Sequence, residues 1–122
     1  MRMATFTSDQ FRPYLPDGCQ VNPNALGFEL AAWLSRALAA DGVITSYPDQ
    51  EDWGWYLEFL DGDDEYLICC SGSEEDGKYE WRVFVERPRK LFRRPAETPM
   101  ERELFESVAD ALRSQGIAVT IE

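Results

Sequence analysis

Residues 53–86 read WGWYLEFLDGDDEYLICCSGSEEDGKYEWRVFVE, and the fold follows from how they alternate. Successive side chains of an extended chain point to opposite faces. Over 53–60, Trp53, Trp55, Leu57 and Phe59 therefore share one face, and Gly54, Tyr56, Glu58 and Leu60 the other. Asp61-Gly62-Asp63-Asp64 has the residues of a tight hairpin turn. The chain returns over 66–71 with Tyr66, Ile68 and Cys70 on one side, and Ser73–Gly77 forms a second turn. Over 79–86, Tyr79, Trp81, Val83 and Val85 oppose Glu80, Arg82, Phe84 and Glu86. This pattern predicts a meander of three antiparallel strands with one apolar face and one mixed face.

The flanks complete the pattern. Upstream, Val43–Tyr47 predicts a further strand stopped by Pro48, which lacks the N–H a ladder needs. Before it, Leu26, Leu30, Trp33, Leu34, Ala37 and Leu38 recur at helical spacing. Asn22-Pro23 supplies a cap and a first helical residue, and Asp41-Gly42 supplies the stop. Downstream, Thr98-Pro99-Met100-Glu101 is a capping box with Pro at the first helical position. Leu104, Phe105, Val108, Ala111 and Leu112 form the buried stripe of that second helix, which Gly116 closes. Met3–Thr7 and Ile117–Ile121 read as the outermost strands in sequence, and Ser8–Val21, with Pro13, Pro16 and Gly18, as an irregular connection. The expected order is β-α-β-β-β-β-α-β. Residues 1–122 should form a single α+β domain, a two-layer sandwich of a mainly antiparallel sheet with two amphipathic helices on one face.

The chain has 122 residues, 44% of them hydrophobic, enough for a real core. No apolar run approaches the ~20 residues that span a bilayer, and Met1–Thr5 leads into no apolar signal core. Both point to a cytoplasmic protein without membrane contact. The three cysteines are Cys19 and the adjacent Cys69 and Cys70, a poor disulfide framework that fits a reducing compartment and buried thiols.

Charge is distributed unevenly. Net charge is −11, yet residues 37–77 hold twelve acids, all from Asp41 onward, and no Lys or Arg. In an antiparallel meander, the loop 49–52 and the turn 74–76 fall at the same end of the sheet, gathering six carboxylates. Asp49, Glu51, Asp52, Glu74, Glu75 and Asp76, with Trp53 and Trp55 as neighbouring aromatic anchors, are the candidate partner-binding residues. Crowded carboxylates repel one another, and a basic protein partner relieves that repulsion and is steered toward it. The alternation of Trp53 and Trp55 with Leu57 equally fits packing against the helices.

Catalytic chemistry finds little support. The chain contains no His, so imidazole bases, His-ligated metals and His-dependent triads are excluded. Asp61–Glu65 fails the EF-hand pattern, because its Gly is second and position twelve is Gly72. No glycine-rich phosphate loop is present, since Gly72-Ser73 runs into Glu74-Glu75-Asp76. No cofactor or metal is expected, and the chain does not read as an enzyme. An alternative basic site is Arg87, Arg89, Lys90, Phe92, Arg93 and Arg94, cations with an aromatic among them, which suit nucleic acid or an acidic ligand. The overall charge makes nucleic acid the weaker partner, and pairing with the Asp61–Glu65 turn at the same sheet end is the expected role. No stretch carries a family signature. In size, acidity and lack of catalytic residues the chain is similar to bacterial inhibitors that neutralise a basic enzyme, such as immunity proteins of nuclease toxins; the likeness covers no aligned residues. Read this way, the chain is expected to be a non-enzymatic acidic protein-binding domain that occludes a basic partner.

Overall fold

The computed structural model describes residues 2–14, 16, 25–88 and 97–122. Its strands are β1 (Met3–Thr7), β2 (Asp49–Glu51), β3 (Gly54–Asp61), β4 (Asp64–Glu75), β5 (Lys78–Glu86) and β6 (Thr120–Ile121). The helices are α1 (Phe28–Ala40) between β1 and β2, and α2 (Pro99–Arg113) between β5 and β6. The element order is the one expected. The strands form one sheet in the order β2-β3-β4-β5-β1-β6, every neighbouring pair antiparallel. Helix α1 packs on β3 and β4, α2 packs on β5, and the helices touch each other. The fold is α+β, with both helices on one face.

Periodicity explains the core. Leu30, Leu34 and Leu38 of α1, with Leu104, Val108 and Leu112 of α2, meet Leu57, Ile68, Val83 and Trp81 from the sheet, all 2% exposed or less. The Thr98 half of the capping box forms as read: Thr98 Oγ1 accepts from the Glu101 backbone N–H at 3.1 Å and lies 2.7 Å from the Tyr66 hydroxyl. That link ties the start of α2 to β4. The start of α1 expected at Asn22-Pro23 lies outside the described residues. Within them the helix begins after Gly27, whose φ is 131°. A Cβ on Gly27 would lie 2.8 Å from the Cys70 carbonyl oxygen, so glycine lets the helix start close against β4.

Four sequence expectations are corrected. Residues 43–47 form no ladder. Ser46 alone reaches β3, donating its N–H to the Glu58 carbonyl and accepting from the Glu58 N–H on its hydroxyl, both at 2.9 Å. Pro48 separates this segment from β2, which forms at 49–51 where a loop was expected. The turn at 73–77 is tighter than expected. β4 runs to Glu75, opposite Lys78, and only Asp76 and Gly77 connect, with φ 53° and 80°. Two left-handed central residues with the sequence Asp-Gly are the signature of a type I′ hairpin, whose twist matches its strands. Trp53 is not a strand residue, because it sits in the two-residue connection between Glu51 and Gly54. Of the last expected strand, only Thr120 and Ile121 pair with β1, while Ile117 is buried beneath the sheet edge.

Candidate functional site: the uncovered face of the sheet

Because α1 and α2 occupy one face, the other face of the sheet carries no helix or loop among the described residues and is called the bare face. Register defines its rows. Glu58, Leu67 and Glu86 stand side by side on β3, β4 and β5. In the next row come Asp49, Tyr56, Cys69, Phe84 and Met3, and then Glu51, Gly54, Ser71, Arg82 and Thr5. Glu65 lies beyond Leu67, opposite Leu60. Polar residues are expected on an open face, yet this one carries Tyr56, Leu67 and Phe84, each partly exposed.

Trp53 adds to this apolar surface. Its ring leaves the β2–β3 turn, crosses β4 and meets Phe84 of β5, with centroids 6.1 Å apart. It remains 44% exposed. Cys69, in register with both Tyr56 and Phe84, lies beneath this cover and is fully buried. Burial, reinforced by the Glu86 carboxylate 3.9 Å from its sulfur and by the neighbouring Cys70, pushes the Cys69 thiol far above its ordinary range. Burial alone pushes the Cys70 thiol up to about 12. Neither sulfur is set up as a nucleophile, since a reactive thiol needs exposure and a depressed pKa. Cys19 lies outside the described residues.

Glu51, Trp53, Tyr56, Glu58, Glu65, Leu67 and Glu86 line a shallow depression of about 390 Å³, and among the described residues no Lys or Arg lines it. The Tyr56 hydroxyl donates to Asp49 Oδ2 at 3.2 Å. Burial, that hydrogen bond and the charges of Asp49, Glu58 and Glu51 raise the Tyr56 pKa. Among the described residues, the stretch 41–77 makes one ion pair, Asp64 with Arg87 at 3.2 Å. No group of three or more Cys, Asp or Glu among the described residues is arranged to hold a metal ion.

The eight candidate partner-binding residues divide. Asp49, Glu51, Trp53 and Glu75 belong to the bare face, and Asp52 and Asp76 occupy turns. Trp55 belongs to the helix side, where its indole N–H donates to the Ala25 carbonyl at 3.0 Å and its ring meets Phe28 at 5.1 Å. Glu74 is committed to its own hairpin, accepting from the Gly77 N–H at 2.9 Å. The two acidic groups share one end of the sheet but are offset. β3 begins level with Ser71, whereas β4 continues to Glu75. Four more residues at ~3.3 Å each carry the second turn about 13 Å past the first.

Sequence reading missed Glu58, Glu65, Leu67, Phe84 and Glu86 as candidates. The signal was present: Glu58 and Glu86 flank the alternating stretches on their mixed face, and antiparallel pairing aligns them across one strand. Of the alternative basic site, only Arg87 lies within the described residues. It pairs with Asp64 and lies over the Tyr66 ring, 5.6 Å from its centroid. Arg89, Lys90, Phe92, Arg93 and Arg94 lie outside the described residues. No helix among the described residues is long and apolar enough to cross a membrane. Comparison with protein-family models, with curated proteins and with solved structures finds no match to this chain.

Proposed function

We propose that this chain is a non-enzymatic acidic protein-binding domain that docks a basic partner and occludes it, as an inhibitor or immunity-type protein does. The observation that carries this reading is the segregation of charge: twelve acids without a cation over 41–77, with one ion pair among the described residues. Uncompensated carboxylates beside exposed aromatic rings supply both halves of an interface, steering from the charge and anchoring from the rings. The lack of His and the burial of Cys69 and Cys70 support a binding role over a catalytic one.

Capture from a lysate of the source cell tests it. The immobilised chain should retain a basic protein that is released as rising salt shortens the Debye length from about 10 Å at 0.1 M to about 3 Å at 1 M. An acidic domain of equal net charge should not retain it. The reading is contradicted when both supports retain the same proteins, or when nucleic acid alone is held.

A further inference from the structure

We infer that the bare sheet face docks a cationic amphipathic helix of its protein partner, lying along β4 between Glu58 and Glu86. This rests on the reading of the chain as a binder of basic proteins and names the element it would grip. Glu58 and Glu86 flank Leu67 in one register row, two strand spacings apart. That separation is about 10 Å at the usual interstrand distance, which matches the ~10–12 Å width of an α-helix with its side chains. A helix on Leu67 therefore has a carboxylate along each flank. Glu65 stands further along the same trough, and the half-exposed Trp53 ring closes its other end.

The surface chemistry selects the occupant. Leu67, Tyr56 and Trp53 give the trough apolar surface, glutamates stand along its walls and no cation among the described residues lines it, so the complement is an apolar stripe flanked by Lys or Arg. A phosphate backbone or an anionic lipid surface would be repelled by these walls. An extended peptide fits poorly on a sheet face, because its N–H and C=O groups need an edge to pair with. A helix satisfies its own backbone and needs only an apolar surface for its stripe, as α1 and α2 already find on the opposite face.

The test uses the full chain and two labelled peptides of identical leucine and lysine content, one patterned with helical period and one with strict alternation. Fluorescence anisotropy at low salt should show the helical-period peptide binding at least tenfold more tightly. The Glu58→Gln/Glu86→Gln variant should weaken it tenfold or more, and Trp53→Ala should weaken it too. The Glu74→Ser/Glu75→Ser/Asp76→Ser variant, whose charges lie beyond the trough, should weaken it several-fold less than Glu58→Gln/Glu86→Gln does, although it removes more charge. Circular dichroism checks that each variant is folded, and the two isosteric glutamines, on a solvent-facing surface, keep the test valid should Trp53→Ala unfold. Unchanged binding by Glu58→Gln/Glu86→Gln overturns the inference. Loss confined to the 74–76 variant also overturns it, but leaves the basic-partner reading standing with its contact at the hairpin tip. Binding of neither peptide, with no basic protein captured from lysate, overturns both.

Discussion

Trp81→Ala is expected to cost about 3–5 kcal/mol, the range for removing a large buried aromatic. Trp81 is 1% exposed, and its ring contacts Phe11 edge-on at 6.2 Å and stacks on Tyr79 at 5.9 Å. Its indole N–H donates to the Ser8 carbonyl at 2.9 Å, so truncation leaves a cavity and strips that carbonyl of its donor. The ring also lies flat over its cross-strand partner: a Cβ on Gly72 would come within 2.3 Å of Trp81 Cε3. Glycine at 72 is thus what lets the indole lie down on the sheet. A domain of this size has about 5–15 kcal/mol of total stability, so the variant should unfold at far lower urea than the parent, or fail to fold. A loss below about 1 kcal/mol in equilibrium urea unfolding would contradict this packing.

Gly54→Val should cost about 3 kcal/mol or more, the upper end for forcing atoms into an occupied site. A Cβ there would lie 2.4 Å from the Cys70 carbonyl oxygen. That neighbour is backbone, already fixed in the ladder between β3 and β5, and cannot rotate aside. Relief requires the β2–β3 connection to lift from β4, taking Trp53 off the bare face. The control is Gly62→Ala. Gly62 has φ 63° but nothing within 4 Å of an added Cβ, so only the left-handed penalty of about 1–2 kcal/mol applies. Urea unfolding of both variants should rank Gly54→Val as the costlier by at least 1 kcal/mol. Equal losses would mean that β2 and β3 do not approach β4 as described.

What was legible in the sequence follows from which forces act locally. The helical stripes, the capping box at Thr98 and the strand at 79–86 were readable because periodicity and cap chemistry reside in adjacent residues. The misreading of Trp53 has a physical cause. Trp53-Gly54-Trp55 alternates perfectly, and the Asp52-Trp53 connection lacks the Asn-Gly or Asp-Gly pair that announces a two-residue turn. Similarly, Val43-Ile44-Thr45 has stronger strand preference than Asp49-Gln50-Glu51, yet the latter forms the edge strand because pairing with 54–56 holds it there. A short, acidic edge also discourages further chains from adding to the sheet. The candidate site was half legible. Its charge was visible as a bias in composition, but its location was not. Alignment of Glu58 with Glu86 across Leu67 depends on two hairpin registers. One of them is set by the Asp76-Gly77 turn, a tighter turn than the composition of 73–77 suggests.

The four tryptophans provide the most direct test of where a basic partner sits. Trp55 and Trp81 keep their indole N–H groups hydrogen-bonded to backbone carbonyls on the helix side, and Trp33 packs against Phe11 from α1. Only Trp53 lies on the bare face. In a nitrogen–proton correlation spectrum, titrating a captured basic partner should move the Trp53 indole signal and leave those of Trp33, Trp55 and Trp81 in place. A shift of the Trp33 or Trp55 signal with Trp53 unmoved would put the contact on the helix side and contradict the account.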